Sequence, residues 1–180
     1  KRTPRVDADW AREMIATHGR ENPWIMATIL GQFPLAGFNQ LCGPEEVEAA
    51  MNRQIREDAY SWAQKRLGVD VARFGDDRSV IFPRQGLVAF RPVEMRQQDT
   101  CAIGARVAVA KTKWGSELEF IDDTGHWGHG VYDNLRAAGY NPQAVIFSDP
   151  ALNPRYANRR AEMLFEAVEW IRRGGCLPNL

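Results

Sequence analysis

The chain has 180 residues, enough for one domain with attachments. Hydrophobic residues make up 44% and charged ones 26%, so a core can be buried and the chain reads as soluble and globular. Its 23 basic and 23 acidic residues cancel, so net charge gives no argument for nucleic acid and any such contact needs a local patch.

No apolar run approaches the ~20 residues of a membrane span. The opening Lys1-Arg2-Thr3-Pro4 lacks both a Met and the apolar stretch of a signal peptide. An internal fragment or a trimmed terminus, not a secreted protein, is therefore expected. Cys42, Cys101 and Cys176 are odd in number, widely spaced and form no CxxC. They suit a reducing cytoplasm and argue against a disulfide framework or a zinc site built on cysteine.

Three zones follow in chain order. In the first, to about Pro34, Asp7 or Asp9 caps a helix carrying Trp10, Met14 and Ile15, which Gly19 stops. Asn22-Pro23 opens a short apolar helix ending at Gly31. The second zone, Leu35 to Lys65, is a connector with one amphipathic helix after Pro44, on which Val47, Met51 and Ile55 recur every four residues.

The third zone starts at Leu67. Leu67, Val69 and Val71 point to one side of a strand, Gly68 and Asp70 to the other. Phe74 to Arg78 is a turn, and Ser79–Phe82, Gly86–Phe90 and Pro92–Arg96 are extended pieces close enough for antiparallel hairpins. Asp99 or Thr100 caps a helix with Ile103, Val107, Ala110 and Trp114 on one face, closed by Gly115. A strand from Leu118 to Ile121, a helix from Val131 to Ala138, a strand from Ala144 to Phe147 and a long helix from Arg155 to Arg173 complete the series. Hairpins followed by alternating helices and strands predict an α/β fold, a mixed sheet with helices on both faces.

Asp70 is the most telling residue for chemistry. A carboxylate inside an apolar strand is costly unless paired, hydrogen-bonded or metal-bound, or turned to a solvated face. Asp122 stands at the carboxyl end of a later strand, where open α/β sheets bind ligands, although Asp122-Asp123 alone also reads as a turn or helix cap. On neighbouring strands the two would suit hard cations such as Mg²⁺. Two such ions about 4 Å apart activate water and stabilise the leaving oxygen in phosphodiester cleavage.

His126 and His129 look like ligands, but with no third ligand at zinc spacing they read as an exposed loop pair. No Walker A sequence and no GxSxG is present, which argues against an ATPase or a serine hydrolase in this chain. Trp10, Trp24, Trp62 and Trp170 read as core. Arg155 and Arg159, one turn apart on the last helix, share a face and could meet phosphates, although Glu162, Glu166 and Glu169 interleave. Arg73 and Arg78, flanking the turn beside Asp70, are the better DNA-contact candidates.

The words around these residues resemble a known family. Leu67-Gly68-Val69-Asp70-Val71-Ala72-Arg73-Phe74-Gly75-Asp76-Asp77 is similar to the first strand and turn of the nuclease domain of tailed-phage terminase large subunits. Phe120-Ile121-Asp122-Asp123-Thr124-Gly125, Gly130 to Leu135, and Tyr156 to Met163 resemble its later segments. Asn22-Pro23-Trp24 with Leu30 to Pro34 resembles the link from the packaging ATPase.

The resemblance implies an RNase H-like fold in which the first and fourth strands are neighbours, so that Asp70 and Asp122 face one site. It implies residues 1–65 as a helical linker and 66–180 as the nuclease domain. It implies two divalent ions, Mg²⁺ or Mn²⁺, held by Asp70 and Asp122 as metal-binding and catalytic residues, with Asp123 the weaker register. The activity implied is cutting of concatemeric double-stranded viral DNA during genome packaging. Implied partners are the terminase ATPase domain, the small terminase subunit and the portal, in the cytoplasm of the infected bacterium. The family's third acid is expected beyond Leu180, which would leave this stretch weakly active. The alternative is a catalytically incomplete module that docks DNA, portal or ATPase. The family often has small residues where this chain carries His126 and His129.

Overall fold

Among the described residues, six strands form one mixed sheet whose order follows from how hairpins and crossovers alternate. The computed structural model describes residues 8–20, 25–32, 41–72 and 77–179, in two compact units, 1–47 and 48–180. In the first unit, helix α1 (Ala8–His18) ends at Gly19 and a π-helical turn (Met26–Leu30) ends at Gly31, as expected. The Asn22-Pro23-Trp24 and Phe33-Pro34 words lie outside the described residues. The second expected boundary, residue 65, falls inside the second unit.

Helix α2 (Pro44–Met51) is shorter than the apolar spacing predicts, and Ile55 is not on it. The chain leaves the helix at Asn52, and the Arg53 guanidinium donates to the carbonyls of Ile171 and Gly175. A charged donor on carbonyls at and just past a helix C-terminus outweighs one more helical turn.

Strands β1 (Lys65–Asp70) and β2 (Arg78–Gln85) pair antiparallel, with Val69 opposite Ile81. Strands β3 (Val88–Ala89) and β4 (Val93–Arg96) both pair with the far edge of β2. They form one interrupted lane, broken around Pro92, which has no N–H to give a ladder. Strand β5 (Leu118–Asp122) is thus the fourth lane and lies parallel to β1, with Val69 beside Ile121; β6 (Gln143–Val145) is parallel beyond it.

Alternation divides the sheet. Leu67, Val69, Ile81 and Ile121 are buried with Ile103 and Val107 of α3 (Thr100–Trp114) and Val131 and Leu135 of α4 (His129–Ala137). Helix α3 is capped as the sequence suggests: the Ala102 amide donates to the Asp99 side chain, and Gly115 ends it at φ 71°. Gly68, Phe82 and Phe120 face the other way, and share a cleft with Met163 of α5 (Arg159–Arg172). Helices therefore cover both faces of a sheet with antiparallel first strands.

Two expectations are corrected. Helix α5 starts at Arg159, not Arg155, because Asn158 caps it through the Ala161 amide. The preceding loop is held by Glu162, a buried carboxylate accepting from the amides of Leu152 and Asn153 at 2.9 Å each. Among the tryptophans, Trp170 packs inward and donates to the Gly86 carbonyl at 3.0 Å. Trp62, by contrast, is 80% exposed in a turn and Trp10 is 41% exposed, so neither is core. Trp24 lies outside the described residues.

Candidate metal centre at the strand ends

Asp70 and Asp122 each close a strand, one residue beyond the paired Val69 and Ile121. Their strands run parallel, so both carboxylates leave the sheet at the same end and on the same face. They line one cleft of about 290 Å³ with Gly68, Phe82, Phe120, Phe147 and Met163.

Asp70 stays open to solvent, yet its pKa is raised above the ordinary carboxylate value. Desolvation by the packed neighbours is the largest cause, followed by the charges of Asp122 and then Asp77. Asp77 is a third carboxylate in this field, beyond its place in the turn. Ser79 ties the two sides of that turn: the Ala72 amide donates to its hydroxyl at 3.0 Å, and the hydroxyl lies 3.3 Å from the Ala72 carbonyl.

Asp122 is held from behind. The Thr124 amide donates to its Oδ1 at 2.9 Å, while the Thr124 hydroxyl accepts from the Phe147 amide. The Asp123 amide donates to the Val145 carbonyl, which carries the β5–β6 register one residue past the strand. Gly128 makes this possible. A Cβ there would stand 2.1 Å from the Asp122 carbonyl oxygen, so only glycine lets α4 begin this close to the strand end.

Asp123 takes the opposite side. Its residue is 4% exposed, its Oδ2 lies 3.1 Å from Nδ1 of His129, and its Oδ1 is buried without a hydrogen-bond partner. His126 completes a group in which one ligand-type atom from each of Asp123, His126 and His129 lies within 4.8 Å of the others. Both imidazoles are exposed, as expected, but a buried carboxylate stands beside them that zinc-type spacing does not reveal. His126 is held at φ 62°, a left-handed conformation that is uncommon outside glycine. The His129 pKa is raised, first by its hydrogen bond to Asp123, then by the charges of Asp133 and Asp123.

The arginine candidates do not converge on one surface. Arg73 lies outside the described residues. Arg78 forms an ion pair with Glu94 across β2 and β4. Arg159 lies 3.4 Å from Glu162 and is mostly buried. Arg155 is in the loop before α5, so it does not share a helical face with Arg159; it borders a groove with Tyr156, Phe165 and Arg173.

This arrangement of strands is that of solved phage nuclease domains. The chain superposes on a mutant nuclease domain of the large terminase subunit of bacterial virus Sf6 with manganese, at a TM-score of 0.55 and 19% identity, over 75% of this chain and 66% of that one. It superposes on the large terminase nuclease of thermophilic phage G20c with bound magnesium, at 0.57 and 15% identity, over 81% and 77%. The fold is that of a terminase nuclease domain. In sequence, the chain is 38% identical over 82 residues to a probable terminase large subunit of Enterobacteria phage P7. That match spans 44% of this chain and 16% of the relative. No family model matches. The family named from the sequence words is thus the one that sequence and structure comparisons both return. No helix among the described residues is long and apolar enough to cross a membrane.

Proposed function

We propose that this chain is a divalent-metal-dependent endonuclease domain that cuts concatemeric viral DNA during genome packaging. The observation that carries the reading is the meeting of Asp70 and Asp122 at one end and one face of the β1–β5 pair.

The donor set fits hard cations. Desolvation first, and then the charges of Asp122 and Asp77, raise the pKa of Asp70, a field that a bound cation would relieve. Oxygen-only ligands of this kind suit Mg²⁺ or Mn²⁺ over softer ions. Asp70 and Asp122 would hold the ions. Bound there, a pair of such ions supplies an activated water and stabilises the leaving oxygen of the phosphodiester.

The chain's own residues do the positioning. Strand pairing fixes the spacing of the two carboxylates, and the Thr124 amide orients Asp122. The cleft beside them is lined mainly by apolar side chains, Phe82, Phe120, Phe147 and Met163 among them. Double-stranded DNA is the substrate in this reading, with Arg73, Arg78, Arg155 and Arg159 as separate candidate phosphate contacts and not one patch. The ATPase domain, small subunit and portal are the partners, residues 1–65 the linker to the ATPase, and the infected cell's cytoplasm the compartment.

The test is plasmid cleavage by the full-length protein that contains this chain, with Mg²⁺ or Mn²⁺. Asp70→Asn and Asp122→Asn each lower cleavage by about 10²-fold or more, the scale of losing a transition-state charge contact. Full cleavage by Asp70→Asn would remove this residue from the mechanism. DNA binding without metal-dependent cleavage in the parent protein would favour the docking module instead.

A further inference from the structure

The geometry points to a second metal site, distinct from the carboxylate pair, built by Asp123, His126 and His129 and suited to a first-row transition ion of the Zn²⁺ class. The three residues recur at intervals of three along the chain, on the loop that follows Asp122 and the first turn of α4. Strand alternation sends Asp123 away from Asp122, to the side on which α4 packs.

Four observations support a ligand here. The donor atoms already lie within 4.8 Å of one another. The Asp123 oxygen and the His129 nitrogen stand 3.1 Å apart, close to the separation of about 3.3 Å that adjacent ligands have in a tetrahedron around an ion 2.0–2.1 Å away. Asp123 is buried, and a plain hydrogen bond to His129 leaves its Oδ1 with no donor. Finally, the far nitrogen of His129, Nε2, lies 3.7 Å from Asp133, an ion-pair distance from which a side-chain rotation would bring the carboxylate into the outer hydrogen bond of a metal-bound imidazole.

The chemistry separates this site from the first. Two imidazoles and one carboxylate favour Zn²⁺, Co²⁺ or Ni²⁺, whereas oxygen-only sites favour Mg²⁺. A cation at the start of α4 is opposed by the helix dipole, and the two negative charges of Asp123 and Asp133 offset it. Three protein ligands leave a fourth position for water. An ion there would pin the loop between β5 and α4, directly behind Asp122.

Cobalt is the probe, because tetrahedral Co²⁺ with nitrogen ligands absorbs strongly in the visible range. Metal-free protein is titrated with Co²⁺ alone and then with Zn²⁺. One equivalent of Co²⁺ develops the band, Zn²⁺ removes it, and excess Mg²⁺ leaves it unchanged. Asp70→Asn keeps the band, His126→Ala and His129→Ala each lose it, and Asp133→Asn weakens Co²⁺ binding by about 10- to 100-fold. Both imidazoles are exposed, so the histidine variants keep the fold, which far-UV circular dichroism in chelator checks. No band in the parent protein, or a band that survives both histidine variants, overturns the site. A band lost in Asp70→Asn reassigns the ion to the carboxylate pair.

Discussion

Asp122 and Asp123 are chemically identical neighbours that end in opposite surroundings. Asp122 faces the α5 side of the sheet, beside Asp70, in a cleft open to a large ligand. Asp123 faces the α4 side, its side chain almost wholly buried, and shares space with two imidazoles. The period of two along a strand does this without any further device. One residue of register decides whether a carboxylate joins an oxygen-rich site or a nitrogen-rich one, and the two environments sit back to back across a single peptide.

The largest effect should come from breaking both sides together. Gly128→Ala puts a Cβ against the backbone oxygen of Asp122, which cannot swing aside as a side chain would. The strand end and the start of α4 must separate, at a cost of about 1–3 kcal/mol or more. Urea denaturation reads this as a lower midpoint with an unchanged slope. The same variant should weaken metal binding on both sides. A midpoint equal to the parent's would mean that α4 is free to move and that the two sites are not mechanically joined.

A smaller effect belongs to the carboxylate side alone. The raised pKa of Asp70 means that the folded state holds its proton more tightly than the unfolded chain does. Its contribution to stability is therefore complete below the unfolded value of 3.8 and is lost as pH rises through the folded value. At neutral pH, in chelator, the ionised Asp70 costs stability, and Asp70→Asn should stabilise the protein. Solvent screening at this open position limits the gain to less than about 1 kcal/mol. Thermal melts at pH 7 check it, and a lower melting temperature for Asp70→Asn would show that the carboxylate is compensated in the folded state.

Much of this comparison was legible in the sequence, because the relevant signals are local. Asp70 stands out as a charge inside an apolar alternation, and Asp99 and Gly115 mark the ends of α3 by their capping chemistry. The interrupted third lane and the β1–β5 pairing rest on the family resemblance, since pairing is non-local. What stayed hidden depended on partners far along the chain. Arg53 ends α2 by reaching residues 171 and 175, and Glu162 reaches back to hold a loop that reads like the start of a helix. From the sequence Asp123 reads only as the weaker register of the carboxylate pair, because spacing rules for imidazole sites look for cysteine and histidine sets. An aspartate at a strand end, three residues before the first histidine, is not among them. Asp77 escaped because an aspartate next to a tight turn usually has no further role.

The smallest effect belongs to the imidazole side and needs no ion. In chelator, the His129 imidazole should titrate above the ordinary value of 6.5, because Asp123 accepts from its ring and Asp133 adds a second negative charge. Its stabilising contribution is present below the unfolded value and is lost as pH rises through the folded one. Asp123→Asn should bring the titration most of the way back toward 6.5, since the hydrogen bond to Asp123 is the leading cause, and Asp133→Asn should bring it back less. Proton NMR of the His129 imidazole reads all of this directly. Asp122→Asn is the control that sharpens the contrast: it lies one residue from Asp123 but across the sheet, so it should leave His129 nearly unmoved. If Asp122→Asn shifts His129 as much as Asp123→Asn does, the two sides share one field and their separation by strand parity is only geometric.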